Sequence, residues 1–241
     1  MDLKNKVAVV TGGSIGYGKG IAEVLKKNGC RVWVLSSNEE KLKKAAEELG
    51  VNYSVCDITS PKDWDAAIKK IKEKDNTIDI LVNNAGAGIA KKNLAEQTDE
   101  DIFRSIMVNL VGHIYGIKRV AALMCPKKEG IIINISSIAV DHAWTGWSIY
   151  SAAKAGLEML ARCLHNEFRN DNVHIVTLSP SWGNTEFLKE AKLPDWPEDI
   201  ASKIMTPVEM GELVVKICTL PDHLAITRIR VQPMIQEINP M

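Results

Sequence analysis

The sequence predicts an α/β fold, a doubly wound parallel sheet of about seven strands with helices on both faces. Three observations predict it. Short apolar runs alternate with amphipathic stretches along the whole chain. The first apolar run passes directly into a glycine-rich turn and then an amphipathic helical pattern. The chain, 241 residues with 46% hydrophobic side chains, suits one domain, residues 1–241, with a sizeable core. No internal repeat, low-complexity tract or linker interrupts the alternation.

The first strand is Lys6-Val-Ala-Val-Val-Thr11, and a helix near 17–28 follows, with Ile21-Ala-Glu-Val-Leu-Lys-Lys as its amphipathic body. A strand near 31–35 runs into Ser36-Ser37-Asn38, where a helix near 38–49 begins. A strand near 51–56 ends at Cys56-Asp57-Ile58, and Pro61 opens a helix near 61–74 that Ser60 is better suited than Asp57 to cap. A strand near 78–83 leads into Asn84-Ala85-Gly86, and a long helix covers 99–124. The run Ile131-Ile-Ile-Asn-Ile-Ser136 is a strand, and the helix near 148–169 repeats apolar residues at Leu157, Leu160, Ala161 and Leu164. A strand near 173–179, a helix near 207–219 and a strand near 226–232 complete the series. Residues 186–206, with prolines at 194 and 197 and mixed charges, break the rhythm and read as a surface insertion: either a mobile lid beside a ligand site or solvated packing.

Composition excludes some partners. Lys plus Arg and Asp plus Glu are both 30, so nothing invites nucleic acid or an anionic membrane surface. Cysteines 30, 56, 125, 163 and 218 show no paired metal spacing and read as reduced, mostly buried thiols of a cytoplasmic protein, with no metal site. No signal peptide or membrane span is visible, and Val7 to Val10 is far too short to be one.

The chemistry sits in Tyr150-Ser-Ala-Ala-Lys154 and in Ser137, thirteen residues upstream at the end of a strand. A tyrosine and a lysine four apart share one helix face. A free phenol has a pKa of about 10, so acid–base work near neutrality needs a shift of ~3 units, or ~4 kcal/mol. A positive charge at ~4 Å supplies about that much at an effective dielectric of ~20. Lys154 is one such charge and an oxidised nicotinamide ring would be a second, while Ser137 would hold a substrate oxygen against the phenol. The turn Thr11-Gly-Gly-Ser-Ile-Gly-Tyr-Gly18 places Gly12, Gly16 and Gly18 between strand and helix. There the backbone can approach a pyrophosphate at a helix N-terminus, although a tight strand–helix connection has the same composition.

Taken in order, these motifs resemble the short-chain dehydrogenase/reductase family along nearly the whole chain. Thr11 to Gly18 matches its cofactor turn, Asn83 to Gly86 its fourth-strand motif, and Asn109 in Val108-Asn-Leu-Val-Gly112 the helix asparagine of its catalytic tetrad. Ser137, Tyr150 and Lys154 match the other three members, and Pro180 to Thr185 stands where the family has Pro-Gly followed by a threonine. The resemblance implies a Rossmann-type oxidoreductase that transfers hydride reversibly between NAD(P)(H) and a ketone or secondary alcohol. Tyr150 would be its acid and base, Lys154 would lower the phenol's pKa and hold the nicotinamide ribose, and Asn109 would support a water-linked proton path. Cofactor contacts are implied for Gly12, Ser14, Ile15, Gly16 and Gly18, for Asp57 and Ile58 at the adenine, and for Asn84, Ala85 and Gly86. Tyr150, Lys154, Pro180, Gly183 and Thr185 complete the nicotinamide end. Two departures stand out: Ser181 replaces the family glycine, with Gly183 as the nearest source of lost freedom, and the C-terminus lacks the usual Asp-Gly-Gly strand.

Ser36 holds the place of the carboxylate that binds an NAD ribose, and Ser37 the place of an arginine that clamps a 2′-phosphate. The hydroxyls of Ser14, Ser36 and Ser37 and the amide of Asn38 can all donate to a phosphate, so NADP(H) is favoured over NAD(H). Ala139, Val140, His142, Trp144, Trp147, Trp182 and the 186–206 insertion are expected around the substrate. Four of the six tryptophans fall in these loops, as an apolar, ring-bearing ketone would need, or as loops packed on each other would. A small-molecule carbonyl or alcohol is the expected partner, in a homodimer or homotetramer. The competing functions are a catalytically silent dinucleotide-binding regulator and a nucleotide-sugar epimerase; the regulator fits poorly with a filled tetrad, the epimerase with this glycine spacing.

Overall fold

The computed structural model describes residues 1–88 and 90–236. Its strands are β1 (Val7–Thr11), β2 (Arg31–Ser36), β3 (Asn52–Val55), β4 (Ile80–Asn83), β5 (Gly130–Ile135), β6 (Val173–Pro180) and β7 (Arg228–Val231). They form one parallel sheet in the order β3-β2-β1-β4-β5-β6-β7. The chain winds outward from β1 to β3, then returns to lay β4 on the other side of β1. That reversal opens a crevice at the carboxyl ends of the strands, where ligands of such sheets bind. Every residue of β1, β4 and β5 is buried, as central parallel strands must be when both faces are covered.

The alternation of side chains sorts the core into two layers. Ala8, Val10, Val82 and Ile133 face α1 (Gly16–Lys27), α2 (Glu39–Leu49) and α9 (Pro207–Cys218), through Ile21, Leu25, Leu42, Met210 and Val214. Val9, Leu81 and Ile132 face α3 (Pro61–Asp75), α5 (Gly112–Lys127) and α6 (Ser148–Phe168), through Trp64, Ile71, Val120, Met124 and Ala161. Asn38, Ser60 and Thr206 cap α2, α3 and α9, Thr206 in a reciprocal box with Glu209. Ser60 thus takes the capping role, and Asp57 instead accepts hydrogen bonds from Thr59 N and Oγ1 at 2.9 and 2.8 Å.

The strand and helix positions agree closely with the sequence pattern, with two differences. The long helix runs on to Lys127, and a wide turn at Met107–Val111 divides it into α4 (Asp99–Ile106) and α5, with Gly112 N bonded five residues back to Met107 O. A 3.6-residue period does not reveal one such widened turn. The insertion contains two four-residue helices, α7 (Phe187–Glu190) and α8 (Glu198–Ala201), too short to carry a period. The whole stretch Asp99–Lys127 is long and apolar enough to cross a membrane. Its apolar character is used inside the fold, where Ile117, Val120, Ala121 and Met124 are buried. Of the cysteines, 30, 56 and 218 are buried, whereas Cys125 is half-buried and Cys163 exposed, because α6 turns Cys163 outward. All five are free thiols.

Candidate active site

Loops from the carboxyl ends of β1 to β6 enclose a cleft of about 970 Å³. At its floor Gly12 has φ +65°, and a Cβ there would stand 2.9 Å from Ala85 Cα, so the turn after β1 tolerates only glycine at that point. Ser14, Ile15 and Gly16 line the cleft beside it. Ile15 provides α1 with no side-chain cap, which leaves the first N–H groups of the helix without a side-chain acceptor, the condition an anionic pyrophosphate exploits. Gly18, expected to touch cofactor, lies outside the wall: its Cβ would fall 2.1 Å from Gly12 O, so it serves close packing of helix on turn. Facing the turn from the other wall, Glu186 Oε2 comes within 3.1 Å of where a Cβ on Gly16 would stand.

Ser36, Ser37 and Asn38 line the cleft beyond β2. Ser14 Oγ donates to Ser36 Oγ at 3.3 Å, and Asn38 Oδ1 is engaged by Lys41 N at 2.9 Å as the cap of α2. Lys41 itself joins this wall, with no ion-pair partner among the described residues. Its sequence signal was only its place three residues after a helix cap. Asp57 and Ile58 follow, and Ile58 packs so closely on α5 that a Cβ on Gly112 would meet its Cδ1 at 2.8 Å. Arg104 and Val108, about two turns and one turn before Gly112 respectively, complete that end of the wall and were not anticipated.

Thr11 Oγ1 joins the loops after β1 and β4, accepting from Asn84 N and Ala85 N at 3.0 Å. His113 meets the same loop from below, its Nε2 2.7 Å from Ala85 O. Burial, reinforced by the charge of Lys154, pushes the His113 pKa down to about 3. The ring is therefore neutral near pH 7, with its proton on Nε2 and donated to Ala85 O. Asn109 lies in the wide turn between α4 and α5, its Nδ2 donating to Ala87 O at 2.9 Å and Ser105 O at 3.0 Å. Lys154 Nζ donates to Ile135 O at 2.9 Å and stands 5.9 Å from the Tyr150 ring centre. A Cβ on Gly86 would lie 3.2 Å from Asn109 Oδ1 and 3.8 Å from Lys154 Nζ, so Gly86 sits between the two.

Ser137 follows β5, and its Oγ accepts from Ala139 N at 3.1 Å, leaving its own hydrogen for another acceptor. Burial pushes the Tyr150 pKa up to about 12, while a hydrogen bond with Ser137 works against the rise. Burial also brings Lys154 down to about 8. The expected depression of the phenol by Lys154 therefore does not appear in the chain by itself: desolvation dominates, and the Ser137 hydrogen bond is what opposes it. What the set can do is hold an oxygen between a hydroxyl and a protonated phenol.

After β6, Pro180, Ser181, Trp182, Gly183 and Thr185 line the cleft. Gly183 is not among the residues with positive φ; what it supplies is space, since a Cβ there would lie 1.7 Å from Tyr17 Oη. Tyr17 therefore belongs to the wall too, hidden in the sequence by the glycines around it. The remaining wall is aromatic and apolar. Phe187 stacks on Trp147 with centroids 5.8 Å apart and meets the Tyr150 ring at 5.5 Å. Trp182 and Trp196 pair at 4.7 Å, and Trp196 Nε1 donates to Gly183 O at 3.3 Å. Ala139, Trp144 and residues 193–197 also line it, whereas the rest of the insertion beyond Pro197 does not. Val140 and His142, expected at the substrate, lie off the wall: the turn after Ser137 carries them away, Asp141 is tied to Arg228 and Arg230, and His142 stacks on Trp144 at 5.3 Å. Among the described residues no cluster of His, Cys, Asp or Glu is arranged to hold a metal ion.

A family profile described as short chain dehydrogenase matches residues 6–195. The chain is 31% identical over 240 residues to an uncharacterized oxidoreductase of Staphylococcus saprophyticus, covering 97% of this chain and all of that one. It is 33% identical over 194 residues to a 3-oxoacyl-[acyl-carrier-protein] reductase of Chlamydia muridarum, covering 78% of this chain and 77% of that one. Among solved structures, a closed serine dehydrogenase complexed with NADP⁺ superimposes with a TM-score of 0.89 at 26% identity, covering 98% of both chains. The profile spans the glycine turn, the fourth-strand loop, Ser137 and the Tyr150–Lys154 helix, all of which open on one cleft; this chain belongs to the short-chain dehydrogenases and is an oxidoreductase acting between CH–OH and C=O.

Proposed function

We propose that the protein is an NADP(H)-dependent reductase of an apolar, ring-bearing ketone, reversible as an alcohol dehydrogenase. The observation that carries this reading is the meeting of Asn109, Ser137, Tyr150 and Lys154 with the glycine turn in one cleft whose far wall is aromatic. Bound nicotinamide supplies hydride to the carbonyl carbon or removes it from the alcohol carbon. Ser137 donates a hydrogen bond to the substrate oxygen, and Tyr150 Oη gives that oxygen its proton in reduction and takes it back in oxidation. Lys154 holds the ribose and keeps a positive charge beside the phenol. Asn109, fixed by Ala87 and Ser105, lines the proton path behind it. The cleft fits a dinucleotide: Gly12 and Gly16 add no side chain to its floor, and α1 presents an uncapped N-terminus.

The preference for NADP(H) rests on Ser36 in place of a carboxylate, on the hydroxyls around it, and on Lys41, which answers for the missing arginine. The similar serine dehydrogenase is itself complexed with NADP⁺. Exposed Phe103 on α4 and Met159 on α6 are apolar surface that a second copy of the chain would cover, in keeping with a homodimer or homotetramer. Five free thiols suit the cytoplasm. A filled catalytic set argues against a silent regulator. The test is a panel of aryl, alicyclic and short-chain ketones and their alcohols, run with NADPH and with NADH. Turnover is expected with ring-bearing ketones and NADPH; cofactor binding without turnover of any member would favour the regulator.

A further inference from the structure

We propose that Gln236 is a positioning residue of the active site, holding the Ser181–Trp182 turn from the C-terminal segment, and that Ser181 is the hydroxyl it holds. The proposal rests on the cofactor reading above. The last described residues leave β7 and turn back, with Gln236 N bonded to Pro233 O at 3.0 Å. Met234 is fully exposed and Ile235 41% exposed, whereas the amide of Gln236 is buried, 6% exposed. The turn thus sends a polar side chain inward and apolar ones outward, the reverse of what a tail packed for burial alone would do. The inward amide reaches the cleft wall: Gln236 Oε1 accepts from Ser181 Oγ and, at 3.5 Å, from Trp182 N. Ser181 N meanwhile donates to Val231 O at 3.0 Å. Two consecutive residues of the cleft wall are therefore held by β7 and by the segment after it.

Ser181 stands where the family carries glycine, a residue with no hydroxyl to offer. The serine and the glutamine make sense as one device, the half-buried hydroxyl satisfying the buried amide oxygen. Held this way, the turn presents a fixed backbone to the nicotinamide end of the cofactor. Placement there matters because a misplacement of ~1 Å at a reacting centre costs ~10²-fold in rate.

The test uses the full chain with Gln236→Leu, Ser181→Gly and the double variant. Three quantities are measured for each: the Kd of NADP⁺, the Kd of adenosine 2′,5′-bisphosphate, which lacks the nicotinamide half, and kcat on a working ketone. Each single variant should weaken NADP⁺ by ~3–10-fold and lower kcat by ~10-fold, with the bisphosphate Kd unchanged. The double variant should be no worse than the worse single, because both remove the same contact. Additive losses, an equal loss of bisphosphate affinity, or indifference of all three quantities to Gln236→Leu would overturn the proposal while leaving the cofactor reading intact. A wild-type chain that binds neither NADP⁺ nor NAD⁺ would overturn both.

Discussion

Burial sets the protonation of Tyr150 and Lys154 in this cleft and of His113 beneath it. The phenol at about 12 stays protonated across the working range and is ready to act as an acid; oxidation needs the opposite form and so should quicken as pH rises. Tyr150→Phe removes one hydroxyl and little packing area, so turnover should fall ~10²–10⁴-fold with cofactor affinity nearly unchanged; retained wild-type kcat would reassign the acid. His113 makes a different prediction, about stability. Its folded pKa of about 3 lies below the ordinary 6.5, so below pH 6.5 the unfolded chain takes up a proton that the native chain refuses. Stability should fall as pH drops from 6.5 toward 3, by ~1.4 kcal/mol per unit for this group. His113→Gln keeps an N–H for Ala85 O and abolishes the titration. Urea unfolding at pH 7 and pH 5 should show the variant losing ~2 kcal/mol less than the parent; equal losses would mean that His113 is protonated in the native state. Asn109, Ser137, Tyr150 and Lys154 could be picked out of the sequence because each lies in a short local motif, and the structure brings the four to one cleft. The environment of the phenol could not be read there, because desolvation depends on how α6 packs on the loops, and pairwise spacing says nothing about that.

At the level of elements, the proposed preference for NADP(H) turns on the junction of β2 and α2. Ser36→Asp should shift preference toward NADH by placing a carboxylate against the 2′-phosphate. Lys41→Ala should weaken NADPH by ~3–10-fold, leave NADH nearly unaffected, and remove part of the salt dependence of NADPH binding. Parallel titrations at two ionic strengths check both; equal losses for the two cofactors after Lys41→Ala would take the lysine away from the phosphate. The serines were readable at the end of an apolar strand. Lys41 was not, because α2 carries several lysines and only the Asn38 cap, seen in three dimensions, fixes which of them turns to the cleft. The wide turn around Asn109 shows the same division: its residue is named by motif, while the one-residue widening that seats it is invisible to periodicity.

For the molecule as a whole, the parallel sheet and its two covered faces follow from the alternation of apolar runs and amphipathic stretches, whereas the strand order, with β4 laid against β1, is not written in that alternation. The 186–206 segment escaped that logic: its contribution to the cleft comes from Phe187 and Trp196 meeting rings outside the segment, Trp147 and Trp182. The same segment brings Glu186 against the glycine turn. On the proposed cofactor reading, that carboxylate lies beside the seat of the pyrophosphate, so two like charges would face each other across the turn. Glu186→Gln should tighten dinucleotide binding by ~3-fold or more at low salt and slow its departure; weaker binding in stopped-flow displacement would count against the clash. On the same reading a dinucleotide takes its seat against that repulsion, which makes the carboxylate a doorkeeper that slows entry and hastens the spent cofactor out.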